Sequence, residues 1–263
     1  MADIPADLVR QLRERTGAGM MDCKRALQET GGDVDAAVKL LREKGITQAA
    51  KRSDRETTEG KVAIELGETV AAMVAVGCET EPVSNNEEFV IFVQRVLDAV
   101  YHHGPEGATA LDDERVALAA KLGENIVVAD AVRLEGEEGD VLSGYVHPPA
   151  HKIGVLVRGK GNPDVARLLA MHISFAAPQY VTRADVPEAE VNAEREILAK
   201  QPDVASKPEE VRDKIVEGRI QKWLAERVLE EQGWIHEPSK KVGQALQEAG
   251  FSVIEFRRFA LAE

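Results

Sequence analysis

Two cysteines and six histidines are the side chains here best suited to nucleophilic or acid–base chemistry. Cys78 and His147 could form a thiol–imidazole pair, the ring taking the thiol proton and leaving a nucleophilic thiolate. Nothing in the sequence brings the two together, and a buried cysteine ordinarily packs as a small hydrophobe. His172 falls on the apolar face of a helical pattern, the position of a core histidine. His102 and His103 end a helix, where an imidazolium complements the dipole. No Cys-x-x-Cys or His-x-x-x-His metal pattern is expected, and there is no Gly-x-x-x-x-Gly-Lys-Ser/Thr phosphate loop and no Gly-x-Gly-x-x-Gly fingerprint. No catalytic group, metal or cofactor is therefore expected.

The elements that would carry any site belong to a globular chain. Its 263 residues are 44% hydrophobic and 30% charged, and the length allows two or more domains. No apolar run reaches about 18 residues, so no spanning helix or membrane partner is expected. The opening MADIPADLV lacks the basic and apolar regions of a secretory signal, and two cysteines are too few for a disulfide framework. These features predict a cytoplasmic protein. The net charge of −13 argues against direct binding of nucleic acid, which needs clustered Lys and Arg. Residues 1–56 carry 11 Lys+Arg and 10 Asp+Glu, which leaves −14 on the remainder. A near-neutral head on an acidic body predicts a protein partner held by buried contacts more than by steering.

Patterning predicts an α+β chain. Residues 1–50 form a helical module. Ile4, Leu8 and Leu12 share one helix face, and Cys23, Ala26 and Leu27 share the next. Val34, Ala37, Val38 and Leu41 repeat at i, i+3, i+4 and i+7 on the third. Gly31 and Gly32 make a turn, with Asp33 as N-cap. The polar residues 51–60 read as a linker. Residues 61–140 form a first core subdomain, with two strands over 61–78 around Gly67. A helix over 86–101 then aligns Phe89, Phe92, Val93, Val96, Leu97 and Val100, and a further helix ends near Gly123. Residues 141–186 and 233–263 form a second, related subdomain, with strands over 144–157 and a helix over 164–176. Both subdomains are expected to carry antiparallel sheets. Residues 187–232 read as an inserted antiparallel helical hairpin, with Pro208 opening its second helix.

Within this frame, residues 12–27, LRERTGAGMMDCKRAL, join two helices through a turn carrying Gly17 and Gly19. This segment closely resembles the N-terminal signature of the bacterial translation elongation factor Ts family. Further blocks match in order: ERVALAAKLGENI, HKIGVLV, KIVEGRIQKW and EPSKKVGQAL. The first module resembles a three-helix ubiquitin-associated-type domain. The resemblance implies a guanine-nucleotide exchange factor rather than an enzyme. It would bind elongation factor Tu, GDP-bound or nucleotide-free, and promote GDP release by disturbing the Mg²⁺ and phosphate site.

The resemblance also implies where contact is made. The family's Thr-Asp-Phe-Val loop is matched here by Thr80, Glu81, Pro82 and Val83. Glu81 keeps a carboxylate on a longer stem, while Pro82 replaces an aromatic wedge and fixes φ. His147 matches a histidine near the same contact, flanked here by Pro148 and Pro149. Gly123, Glu124 and Asn125 match a further contact turn. Arg13, Met20, Met21 and Lys24 are the candidate contacts of the head, because methionines adapt to a binding groove. The hairpin could support self-association, as coiled coils do. No counterpart of the further C-terminal module of some family members is expected, and affinity is then expected to rest on the head and core.

Overall fold

The computed structural model describes residues 4–16, 18–52 and 54–261. Gly17, one of the two turn glycines read from the sequence, lies outside the described residues. Three helices open the chain: α1 (Ala6–Thr16), α2 (Met20–Glu29) and α3 (Val34–Arg52). Their apolar faces meet in a small core of Ile4, Val9, Leu12, Cys23, Ala26, Leu27 and Ala37. Gly31 and Gly32, at φ +66° and +90°, make the left-handed turn that ends α2. The Asp33 carboxylate then accepts from the amides of Asp35 and Ala36, both at 3.0 Å, and caps α3.

Strands β1 (Glu59–Leu66) and β2 (Val70–Cys78) form a hairpin. The polar stretch at residues 51–60 thus yields its ends to α3 and β1. A short helix α4 (Glu81–Ser84), the long α5 (Glu87–His103), a 3₁₀ segment Pro105–Leu111 and α6 (Asp112–Leu122) follow. Strand β3 (Val127–Glu135), for which no element was predicted, returns antiparallel to β2 and makes the sheet order β1-β2-β3. The second half repeats this plan with β4 (Val141–Val146), β5 (Ile153–Lys160) and α7 (Pro163–Ala176). The hairpin follows as α8 (Glu188–Lys200), α9 (Pro202–Ala205) and α10 (Glu209–Arg227), and then come α11 (Val242–Glu248) and β6 (Ser252–Ala260). The second sheet has the order β4-β5-β6 and is also antiparallel.

The two sheets pack face to face between α5 and α7. The alternation of side chains along β2 shows why its sequence is apolar throughout. Ala72, Val74, Val76 and Cys78 face the α5 core with Phe89, Phe92, Val96 and Leu97. Ala71, Met73 and Ala75 face the other way, into a layer shared with Val62, Leu134, Leu156 and Leu261. Gly154 permits the close approach: a Cβ there would stand 2.3 Å from Val62 Cγ1 and 2.9 Å from Met73 Sδ.

In the hairpin, Arg219 meets Gln201 and Asp203, Arg195 meets Glu217, and Arg183 meets Glu231. Arg183 and Glu231 close the base, while the pairs of Arg195 and Arg219 lie nearer the connecting loop, which is the antiparallel order. Val204, Val216, Ile220, Leu224 and Val228 are buried between the helices. Among the described residues, no helix is long and apolar enough to cross a membrane.

His172 is buried on α7, stacked on Trp234 at 5.3 Å. Its Nδ1 accepts from the Ile235 amide at 3.4 Å, and its Nε2 lies 3.0 Å from Gln232 Oε1, to which it donates. The Gln232 amide in turn donates to the Ala176 and Glu226 carbonyls, tying α7 to the end of α10. Burial pushes the imidazole pKa down, against the opposing pull of Gln232. The unfolded chain, with His near 6.5, then binds the proton more readily than the folded one, so stability rises with pH across that interval. Full stability is expected above about pH 6.5, with a loss as pH falls through the depressed folded value. A Tm–pH profile checks this: the acid-side slope flattens in His172→Phe, and an unchanged slope would refute the assignment.

Candidate functional site

The site is built where β2 leaves the sheet. Pairing with β1 ends at Cys78 and pairing with β3 ends at Gly77, so the amides of Glu79 and Thr80 have no strand partner. Both donate to one oxygen of Glu124, each at 3.0 Å, and the Thr80 hydroxyl donates to the other oxygen at 2.5 Å. The exchange is mutual: the Asn125 amide donates to Glu79 Oε1 at 2.7 Å. Arg55 Nη1 sits 3.3 Å from the Glu79 carboxylate, and the Asn125 side-chain amide donates to the Arg55 carbonyl at 2.9 Å. Gly123, in a left-handed conformation at φ +79°, ends α6 and turns Glu124 and Asn125 toward the loop.

Beyond this clasp, Thr80 stands as N-cap of α4 with extended backbone, and Glu81 and Pro82 occupy its first two positions. Proline costs no helical hydrogen bond there, because first-turn amides have no intrahelical acceptor. Thr80, Glu81 and Pro82 are exposed, whereas Val83 packs against the α5 core and Ser84 is buried. The Asn86 side chain accepts from the Glu88 amide at 2.9 Å and starts α5. The loop is therefore anchored at both ends and open to solvent in the middle.

The turn between β4 and β5 lies beside it. The Val62 amide on β1 donates to the His151 carbonyl at 2.7 Å, and Lys61 Nζ bridges Asn85 Oδ1 at 2.9 Å and the Ala150 carbonyl at 3.5 Å. Glu59, Lys61, Glu81, Asn85, Pro149 and Lys152 line a groove of about 370 Å³ between the two segments. His147 is exposed, 3.1 Å from the Tyr145 hydroxyl.

Cys78 and His147 have separate partners. The thiol donates to the Thr80 carbonyl at 3.4 Å and is fully buried. Burial, with the Glu124 charge adding to it, pushes the thiol pKa up to about 12. That is the opposite of an activated nucleophile. His147 and His151 do stand in His-x-x-x-His spacing, contrary to the expectation of no such pattern. That spacing gathers a metal when both residues share a helix face, whereas these flank a two-proline turn. Among the described residues, no three His, Cys, Asp or Glu side chains are grouped to hold a metal ion.

In the head, Met20 and Met21 are 49% and 64% exposed, so they do not fill the small core. Arg13 is exposed and Lys24 half-buried. Cys23 is buried and bonds the Ala18 carbonyl at 3.6 Å. The head rests on α6, where Arg42 pairs with Asp113 at 2.7 Å above a cavity of about 520 Å³. Of the candidate contacts, Glu124, Asn125, the Thr80 hydroxyl and the Val83 side chain have internal partners, Asn125 being only 5% exposed. The clasp that Glu124 and Asn125 form with Glu79 was not foreseen, because its partners lie about 45 residues apart in the chain.

Residues 79–263 match the protein family described as Elongation factor TS. Proteins named elongation factor Ts resemble the whole chain. That of Thioalkalivibrio sulfidiphilus (strain HL-EbGR7) is 41% identical over 273 residues, covering 99% of this chain and 92% of its own. That of Rhodospirillum centenum (strain ATCC 51521 / SW) is 40% identical over 290 residues, covering 100% and 94%. That of Salmonella agona (strain SL483) is 40% identical over 268 residues, covering 100% and 93%. Helical head, paired antiparallel sheets and helical hairpin, taken with these likenesses, define a translation elongation factor. The chain belongs to the elongation factor Ts family.

Proposed function

We propose that this chain is a guanine-nucleotide exchange factor that binds elongation factor Tu carrying GDP and speeds GDP release without bond chemistry of its own. The observation that carries this reading is the anchored loop: Thr80, Glu81 and Pro82 are exposed, while the backbone beneath them is fixed at both ends. A segment that presses on a partner must be stiffer than what it displaces, and an ordered loop loses little entropy on contact. The groove beside it receives the displaced partner segment, with His147 at its edge. The head adds a second contact through Arg13, Met20, Met21 and Lys24.

The target is a Mg²⁺–phosphate site on the partner. Magnesium needs near-ideal octahedral geometry, so a small shift of its ligands costs much of its binding. Phosphates held by backbone amides at a helix N-terminus are equally sensitive to backbone position. Loosening both raises the GDP off-rate, and nucleotide concentrations then set the direction of exchange.

Linkage supplies the test. If the factor weakens GDP binding, GDP must weaken factor binding by the same ratio. Calorimetric titration of elongation factor Tu with this chain, nucleotide-free and with saturating GDP, is expected to give a Kd at least tenfold weaker with GDP, about 1.4 kcal/mol. Equal affinities would rule out exchange while leaving simple binding. His147→Ala is expected to slow exchange by roughly fivefold, about 1 kcal/mol, the value of one hydrogen-bonding contact. A native rate in stopped flow would remove His147 from the site.

A further inference from the structure

We infer that Glu124 is the positioning residue of the exchange loop, acting through the backbone of Glu79 and Thr80 and not by touching the partner. The inference rests on the exchange reading above and assigns the group that makes the loop effective.

The geometry separates positioning from contact. One oxygen of Glu124 accepts two consecutive amides, Glu79 and Thr80, and the other accepts the Thr80 hydroxyl. A carboxylate that receives three donors from one dipeptide fixes that dipeptide in direction as well as position. These two amides are the first to leave the sheet, so this is where the path of the loop is decided. The reciprocal bond from the Asn125 amide to Glu79 holds Glu124 in place, since Glu124 and Asn125 are adjacent. Glu81 and Pro82 follow directly on Thr80, so a change in the Thr80 backbone swings both. The donors released by losing Glu124 lie at a half-buried and an exposed residue, where water replaces the carboxylate. The fold is thereby spared and the loop's direction is not.

Two replacements divide the possibilities. Glu124→Gln keeps an oxygen for the two amides and offers its own N–H to the Thr80 oxygen, so it preserves the clasp without the charge. Glu124→Ala removes it. GDP release from elongation factor Tu is followed by stopped flow with a fluorescent GDP analogue over a range of factor concentrations. Glu124→Ala is expected to lower the maximal rate about tenfold, as misplacement of a working group does, with less change in the half-saturating concentration and an unaltered Tm. Glu124→Gln stays near the native rate. Thr80→Val loses part of the rate, Thr80→Ser keeps it, and Glu124→Ala/Thr80→Val is no worse than Glu124→Ala alone. A Glu124→Gln as defective as Glu124→Ala, or an Ala variant with native maximal rate and only weaker half-saturation, would overturn the inference in favour of direct charge contact.

Amide hydrogen exchange of the free chain reads the clasp without the partner. The Glu79 and Thr80 amides are expected to lose protection in Glu124→Ala and keep it in Glu124→Gln. Unchanged protection in the Ala variant sinks the inference even if exchange falls. A native chain that fails to release GDP, with the clasp intact by this measure, sinks the exchange reading instead.

Discussion

Replacing Glu81 and Pro82 together by glycine lowers the maximal rate of GDP release from elongation factor Tu by about a hundredfold, the scale set by moving a working group by about 1 Å. Both residues sit in the first turn of α4, where glycine in place of glutamate or proline widens the backbone's conformational freedom. The replacement also removes the exposed carboxylate and the ring that fixes φ. The anchors on either side, Glu124 below and Asn86 above, remain, so the chain folds with a slack tip. Stopped flow at saturating factor measures the rate, and a loss below threefold would mean that the tip does not transmit force. Pro82→Phe works in the other direction. It restores aromatic bulk where the family carries it, and a faster release is expected.

Phe89→Ala is expected to destabilise the chain by about 3–5 kcal/mol, the usual cost of truncating a fully buried aromatic. Phe89 has no exposed surface and sits in the first turn of α5, against the face of β2 that carries Val74, Val76 and Cys78. Val83 packs on the same cluster, so the cavity opens directly beneath the loop. Calorimetry should show Tm falling by roughly 10 °C for a chain of this size. Exchange activity should fall as well, because α5 and Val83 hold the C-terminal anchor. A Tm within 2 °C of native would place Phe89 outside the cooperative core, against its burial. The contrast with Glu124→Ala is diagnostic: the core variant loses stability and rate together, the clasp variant loses rate alone.

The parts of this structure that sequence patterning reaches are those with strong periodicity. Strand β2 is apolar on both faces because it is covered on both, and α5 and α7 carry apolar residues at helical spacing against the two sheets. Strand β3 eluded the same reading because it pairs on one side only, with Asp130 half-way along and most of its residues partly exposed. Helix α9 eluded it because four residues carry no period.

For the site, the positions of Thr80, Glu81, Pro82 and Val83 and of the Gly123 turn were legible by resemblance. Their union was not. Hydrogen bonds between residues about 45 apart in the chain depend on where β3 and α6 deliver Glu124 and Asn125, and local pattern carries no trace of that. To the partner contact expected of Glu124 and Asn125 the structure adds hydrogen bonds to Glu79 and Thr80.

Release of a fluorescent GDP analogue from elongation factor Tu, followed by stopped flow with and without this chain at low and high Mg²⁺, tests the exchange activity most directly. Acceleration that saturates with factor concentration, and that narrows when the nucleotide is released into Mg²⁺-free buffer, is the result predicted by displacement of the metal and phosphate site. Release at the intrinsic rate, with the two proteins bound to each other, would contradict it and leave a binding module without exchange activity.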